Sequence, residues 1–227
     1  MTTSVLSVAS EAWPLVKTGG LADVVGALPD AVAPYGVNMT TMLPGYPAVM
    51  KAIGKAKVIH RYDNLLGVPA HILYAKPHNL LVLDAPALFA RDAGPYADAQ
   101  GHDWSDNWHR FAAFARAAAD LASGAIKGQA FDILHAHDWQ AAMAPAYLRY
   151  APTGSTPAAS VITIHNIAFQ GYFGPEIFPR LELPRSAWGI DGVEYHGGVG
   201  FLKAGMAAAS AITTVSPSYA DEIRTPE

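Results

Sequence analysis

The chain has 227 residues, 51% hydrophobic and 15% charged, with a formal net charge of −4 and a sequence pI near 6.1. That balance supplies a large buried core and excludes a disordered chain, and the charge gives no sign of a nucleic-acid binder, which is usually basic. Cysteine is absent, so disulfides, thiolate zinc sites and cysteine nucleophiles are excluded.

Val5–Ala9 reads as the first strand. Leu21, Val24, Val25, Leu28, Val32 and Tyr35 then recur at helical spacing, with one apolar face and a kink or early end expected at Pro29. Val37–Leu43 is the next strand. Three more follow in succession: Lys57–Tyr62, Ala70–Ala75 and Leu80–Leu83. Asp103–Ser123 reads as a long helix, Phe131–His137 as a strand, and Trp139–Tyr150 as a continuous helix after it. Ser160–Ile164 is a strand ending in His165-Asn166. Residues 170–200 read as irregular, rich in glycine, proline and aromatics. Phe201–Ser210 is helical, Ala211–Val215 a strand, and Ser216-Pro217 opens a last helix with serine as N-cap and proline at N1. The chain stops at Arg224-Thr225-Pro226-Glu227, soon after that helix starts, which reads as an internal cut.

Strands alternating with helices argue a doubly wound parallel α/β sheet. In such sheets ligands bind outside the carboxyl ends of the strands. Four polar clusters sit there: Glu11 to Gly20, His135 to Asp138, His165-Asn166, and Ser216. They are expected to converge on one crevice. No basic n-region with an apolar h-region follows Met1, and no uncharged apolar run reaches ~18 residues. A cytoplasmic protein without a membrane or nucleic-acid partner is expected.

Lys17-Thr18-Gly19-Gly20 lies between a strand and a helix. Glycines there let a ligand approach the backbone, the helix N–H groups favour an anion, and Lys17 adds a mobile charge. A diphosphate cradle is one reading; a tight turn with a solvated lysine is the other. The string is neither a P-loop nor a dinucleotide fingerprint. His135 and His137 share a face of their strand. With Asp138 they are candidates for metal ligands, for polar-substrate contacts, or for structural hydrogen bonding. Asp138 either accepts bonds from sugar hydroxyls or caps the following helix. His165, directly after a strand, is either structural or a catalytic group at the crevice. No GxSxG elbow is present, and Asp103, Asp106, Asp132 and Asp138 form no recognisable two-carboxylate hydrolase pattern. Tryptophans 104, 108, 139 and 188 are candidates for stacking on sugars or for core.

The strings SEAWPLVKTGGLADVVGALP, LPGYP, DNWHRF, HAHDWQAAMAPAYLR, TIHNIAFQGYF, FLKAG and ITTVSPSYADEI occur in this order over nearly the whole chain. Together they resemble the amino-terminal half of bacterial glycogen synthase and plant starch synthase. The resemblance implies a Rossmann-like domain over 1–227, the acceptor-side half of a GT-B glycosyltransferase. A second, nucleotide-binding domain would lie outside this chain. It implies transfer of glucose from ADP-glucose to the non-reducing end of glycogen or a maltooligosaccharide, with retention and by same-face attack. This half alone is then expected to be inactive. It implies that Lys17 binds the donor, that Gly19 and Gly20 bring backbone to it, and that Asp23 lies near the acceptor. His165 would contact the transferred glucose as a catalytic residue, with Asp138 and Asn166 bonding the sugar and Tyr96 in the same pocket. No metal and no cofactor are implied. A non-catalytic glucan-binding module and a UDP-glucose-dependent transferase are the competing readings.

Overall fold

The computed structural model describes residues 2–225; Met1 and the terminal Pro226 and Glu227 lie outside them. In chain order the elements are β1 (Thr3–Val8), α1 (Gly20–Val32), β2 (Val37–Pro44), α2 (Pro47–Ile53), β3 (Lys57–Leu65), β4 (Val68–Ala75) and β5 (Leu80–Asp84). Then come α3 (Pro86–Phe89), α4 (Asn107–Ala122), β6 (Ile133–His137), α5 (Asp138–Ala141), α6 (Met143–Tyr150) and β7 (Ala159–Ile164). The last are β8 (Tyr172–Phe173), β9 (Glu194–Tyr195), β10 (Gly198–Gly200), α7 (Phe201–Ala208), β11 (Ala211–Thr214) and α8 (Pro217–Glu222).

Eight strands form one sheet in the order β11-β7-β6-β1-β2-β5-β4-β3. Six are parallel. The expected parallel sheet is therefore extended by a hairpin: β4 runs antiparallel to both β5 and β3. The turn between β3 and β4 is only Leu66-Gly67, both at positive φ, a two-residue connection that joins antiparallel neighbours. From β1 the chain lays β2 beside it, crosses to β3 at the far edge, steps back through β4 to insert β5 beside β2, then lays β6, β7 and β11 on the other side of β1. The order of winding reverses between β1 and β6, and such a switch point opens a crevice at the strands' carboxyl ends.

The core is Rossmann-like in its layers. α4 is buried along nearly its whole length, and its run of alanines lets it pack closely against α6 and the sheet. Arg110 is fully enclosed there, donating to the carbonyls of Leu88 and Pro95 at 2.8 and 2.9 Å and to Asn107 Oδ1 at 2.7 Å. Those bonds engage Nε and Nη1 and offset part of the penalty of burying the guanidinium.

Three expectations change. α1 continues through Pro29 to Val32, and left-handed Gly36 ends the 3₁₀ turn that follows. The helix expected over 139–150 is two short helices, because Pro145 has no N–H to offer the Ala141 carbonyl and α5 stops there. The stretch 170–200 holds a small antiparallel sheet, β8-β10-β9, rather than only loop.

Candidate functional site

Beyond β1 the chain enters the crevice with Ser10 and Glu11, both buried. Glu11 Oε1 accepts from Thr18 Oγ1 at 2.6 Å and from Tyr96 OH at 2.5 Å. Its other oxygen accepts the Thr18 backbone N–H. Ser10 Oγ lies 2.7 Å from Tyr96 OH. One carboxylate thus ties the Lys-Thr-Gly-Gly turn to the segment carrying Tyr96. Burial, with the Glu11 charge among the lesser causes, raises the Tyr96 phenol well above its ordinary value, so it stays a hydrogen-bond donor.

Gly19 is the N-cap of α1 in an extended conformation, and no side chain caps the helix. A Cβ added at Gly19 or Gly20 meets nothing within 4 Å, and neither residue has positive φ. Neither backbone strain nor internal packing therefore calls for glycine at these positions. The space a side chain would take is the crevice itself, in front of the uncapped N–H groups of α1. Lys17 Nζ pairs with Asp23: it sits 2.6 and 2.8 Å from the two carboxylate oxygens and 5.7 Å from the Trp13 ring centroid. Both partners are exposed, where such a pair contributes little stability.

Asp138 begins α5 at φ +56, the left-handed region that few residues besides glycine and asparagine adopt without cost. Its side chain caps no helix. Oδ1 instead accepts the backbone N–H of His165 at 2.7 Å and of Asn166 at 3.3 Å, pinning the loop after β7 to the end of β6. Burial pushes the Asp138 carboxyl up to about 6, against those two donors, with Glu11 adding to the rise.

His137 is fully buried. Its Nδ1 lies 3.0 Å from His165 Nε2, and its Nε2 lies 3.1 Å from Ser7 Oγ. His135 Nε2 lies 2.6 Å from Thr163 Oγ1. Burial lowers all three imidazoles, His135 and His165 to about 4 and His137 well below its ordinary value. Three neutral rings side by side follow, each engaged by a hydroxyl or by another ring. Among the described residues no group of three His, Asp or Glu side chains is arranged to hold a metal ion.

These pieces enclose a cavity of about 570 Å³. Gly19, Gly20, Tyr96, Asp138, His165 and Asn166 line it, joined by Glu11, Asp103, Gln140 and Phe169, among others. Lys17 and Asp23 stand beside it without lining it, although Thr18 and Val24 do. Of the four expected clusters, Ser216 is not at the cavity: its Oγ accepts the Tyr219 N–H at 3.0 Å as the expected cap of α8, and Val215 lines the cavity in its place. Of the tryptophans considered for stacking, Trp139 reaches the cavity; Trp104 and Trp108 lie under Arg91 and Arg180, and Trp188 packs on Phe178. Glu11 opens the first of the four expected clusters but was given no role, and sequence reasoning did not single out Gln140 or Phe169. Glu11 carried a signal, an acidic residue just past a strand end. The other two carried none, because nothing local marks a side chain brought in by tertiary packing.

A family model described as the starch synthase catalytic domain matches residues 4–227. The glycogen synthase of Novosphingobium aromaticivorans is 68% identical, aligned over 100% of this chain and 47% of its own length. That of Rhizobium tropici is 58% identical over 98% of this chain and 46% of its own. The catalytic domain of starch synthase IV from Arabidopsis thaliana, solved bound to ADP and acarbose, superposes with a TM-score of 0.77 at 27% identity, over 100% of this chain and 47% of that one. The chain spans about half the length of the curated relatives it matches. With that family model matching residues 4–227, the chain belongs to the starch synthase catalytic domain family.

Proposed function

We propose that this chain forms the acceptor-side half of a GT-B glucosyltransferase working in the cytoplasm. That enzyme moves glucose from ADP-glucose to the non-reducing end of glycogen or a maltooligosaccharide, with retention. The observation that carries the reading is the cavity at the β1/β6 switch point. It joins an uncapped helix N-terminus, two glycines that leave room for a ligand, and a set of polar side chains that includes Tyr96, His165 and Asn166, in a chain closely similar to glycogen synthases. The Arabidopsis relative binds ADP and the oligosaccharide acarbose, which supports a nucleotide on one side and a glucan on the other.

In this reading the leaving diphosphate lies against the first turn of α1. Its charge grows as the glycosidic bond to it breaks, so fixed N–H groups and Lys17 stabilise the transition state more than the ground state. Lys17 must first leave Asp23, which holds it in place of a phosphate. His165, Asn166 and Tyr96 hold the sugar by its hydroxyls. Glu11 and Asp138 are engaged by protein donors, which fits same-face attack better than a covalent carboxylate intermediate. The second, nucleotide-binding half would close over the cavity and exclude water.

The test is steady-state kinetics of variants in a protein carrying both halves. Lys17→Ala is expected to raise KM for ADP-glucose, and His165→Ala to lower kcat by two orders of magnitude or more (~3 kcal/mol). An unchanged kcat for His165→Ala would remove that residue from the reaction.

A further inference from the structure

We infer that Ser7 sets the tautomer of His165 by way of His137, so that His165 presents Nδ1–H to the cavity as a hydrogen-bond donor. Ser7 and His137 are both fully buried. They meet across neighbouring strands, since β1 pairs with β6 in a register that places Ser7 opposite His135. The three groups form an unbranched line: Ser7 Oγ, then His137 Nε2 at 3.1 Å, then His137 Nδ1 to His165 Nε2 at 3.0 Å. Among the described residues, Ser7 Oγ bonds nothing except His137, and His165 Nδ1 bonds no protein group.

A neutral imidazole has one donor and one acceptor nitrogen, so the line has two possible directions. In one, Ser7 donates to His137 Nε2, His137 donates from Nδ1 to His165 Nε2, and His165 carries its proton on Nδ1. In the other every bond is reversed, and the Ser7 O–H is left without an acceptor in a site closed to water. Folded proteins rarely leave a buried polar hydrogen unmet, and the first direction meets every group in the line. Burial holds both rings neutral near pH 7, so the proton's position, rather than its presence, is what Ser7 decides. Ser7 and His137 are positioning residues: neither lines the cavity.

The functional consequence rests on the sugar site proposed above. An Nδ1–H offers a donor to a hydroxyl oxygen and offers no base for removing its proton. His165 then holds the transferred glucose and does not deprotonate the acceptor.

Two-bond nitrogen–proton correlation spectra of the chain labelled with ¹⁵N-histidine read the tautomer directly, with no substrate and no turnover. The wild type is expected to show His165 and His137 protonated on Nδ1 and unprotonated on Nε2. Ser7→Ala, which removes the donor that fixes the direction of the line, is expected to give a mixture of tautomers at both rings, and Ser7→Thr, which restores a hydroxyl, to keep the wild-type pattern. An Nε2–H or averaged His165 in the wild type overturns the inference without any variant being needed. A Ser7→Ala spectrum identical to wild type overturns it as well. In a protein carrying both halves, Ser7→Ala is expected to lower kcat about tenfold, the worth of one transition-state hydrogen bond, with little change in KM. If the spectra come out as expected and that protein transfers no glucose at all, the transfer reading fails and the tautomer assignment stands.

Discussion

Gly20 separates stability from function at the level of single residues. Its Cβ has open space and its φ is ordinary, so Gly20→Ala is expected to leave the urea midpoint unchanged or slightly raised. The same methyl group would stand where the diphosphate is proposed to lie, so KM for ADP-glucose in a protein carrying both halves should rise about tenfold or more. Equal loss of stability and activity would contradict the cradle. The histidines give a pH prediction. Burial lowers His135 and His165 to about 4 in the fold and His137 well below its ordinary value, against about 6.5 in the unfolded chain. Between those values the unfolded chain binds more protons, so their contribution to stability is complete above about pH 6.5 and is lost as pH falls toward 4. Asp138, raised to about 6, has the opposite sign: the fold binds its proton more tightly, so its contribution falls as pH rises from about 4 to 6. Three groups oppose one, and the urea midpoint is expected to be lower at pH 5 than at pH 7. Asp138→Asn is expected to widen that difference; a midpoint unaffected by pH would argue that the three rings are already hydrated. His165 and Asp138 were legible as site candidates because each follows a strand directly. The left-handed backbone of Asp138 and its grip on the next loop were not, since both depend on a partner 27 residues away.

At the scale of elements, close packing at two glycines fixes how the site's walls sit. A Cβ at Gly205 would come within 2.6 Å of the Ala142 carbonyl and 2.7 Å of Ile162 Cδ1, so α7 lies tightly on the α5–α6 junction and β7. Gly205→Ala is expected to cost about 1–3 kcal/mol through overpacking, read as a lower midpoint in urea. Gly26 in α1 comes equally close to the Trp13 carbonyl, at 2.6 Å, and holds the helix that begins at Gly20 against the loop after β1. The long strands and α1, α4 and α7 were legible because apolar periodicity runs over several turns or pleats. The two-residue strands β8 and β9 are too short to show any period. The break between α5 and α6 was legible in principle, since Pro145 forbids the bond that would bridge it, but the apolar pattern runs straight through. The antiparallel hairpin depends on a Leu-Gly turn, a weaker signal than Asn-Gly.

At the scale of the molecule, one continuous hydrophobic core underlies the eight-stranded sheet, and the proposed site sits at its β1/β6 switch point. In the proposed reading the cavity takes the diphosphate and the sugar, while no residue lining it is assigned to the adenine or ribose, and the chain spans about half the length of its relatives. The most direct measurement is glucose incorporation into glycogen from labelled ADP-glucose, by this chain alone and by a protein carrying both halves. Transfer by the longer protein only is the expected result, with this chain as the acceptor-side half of the site. Transfer by this chain alone would contradict it, because the residues around this one cavity would then hold the whole donor.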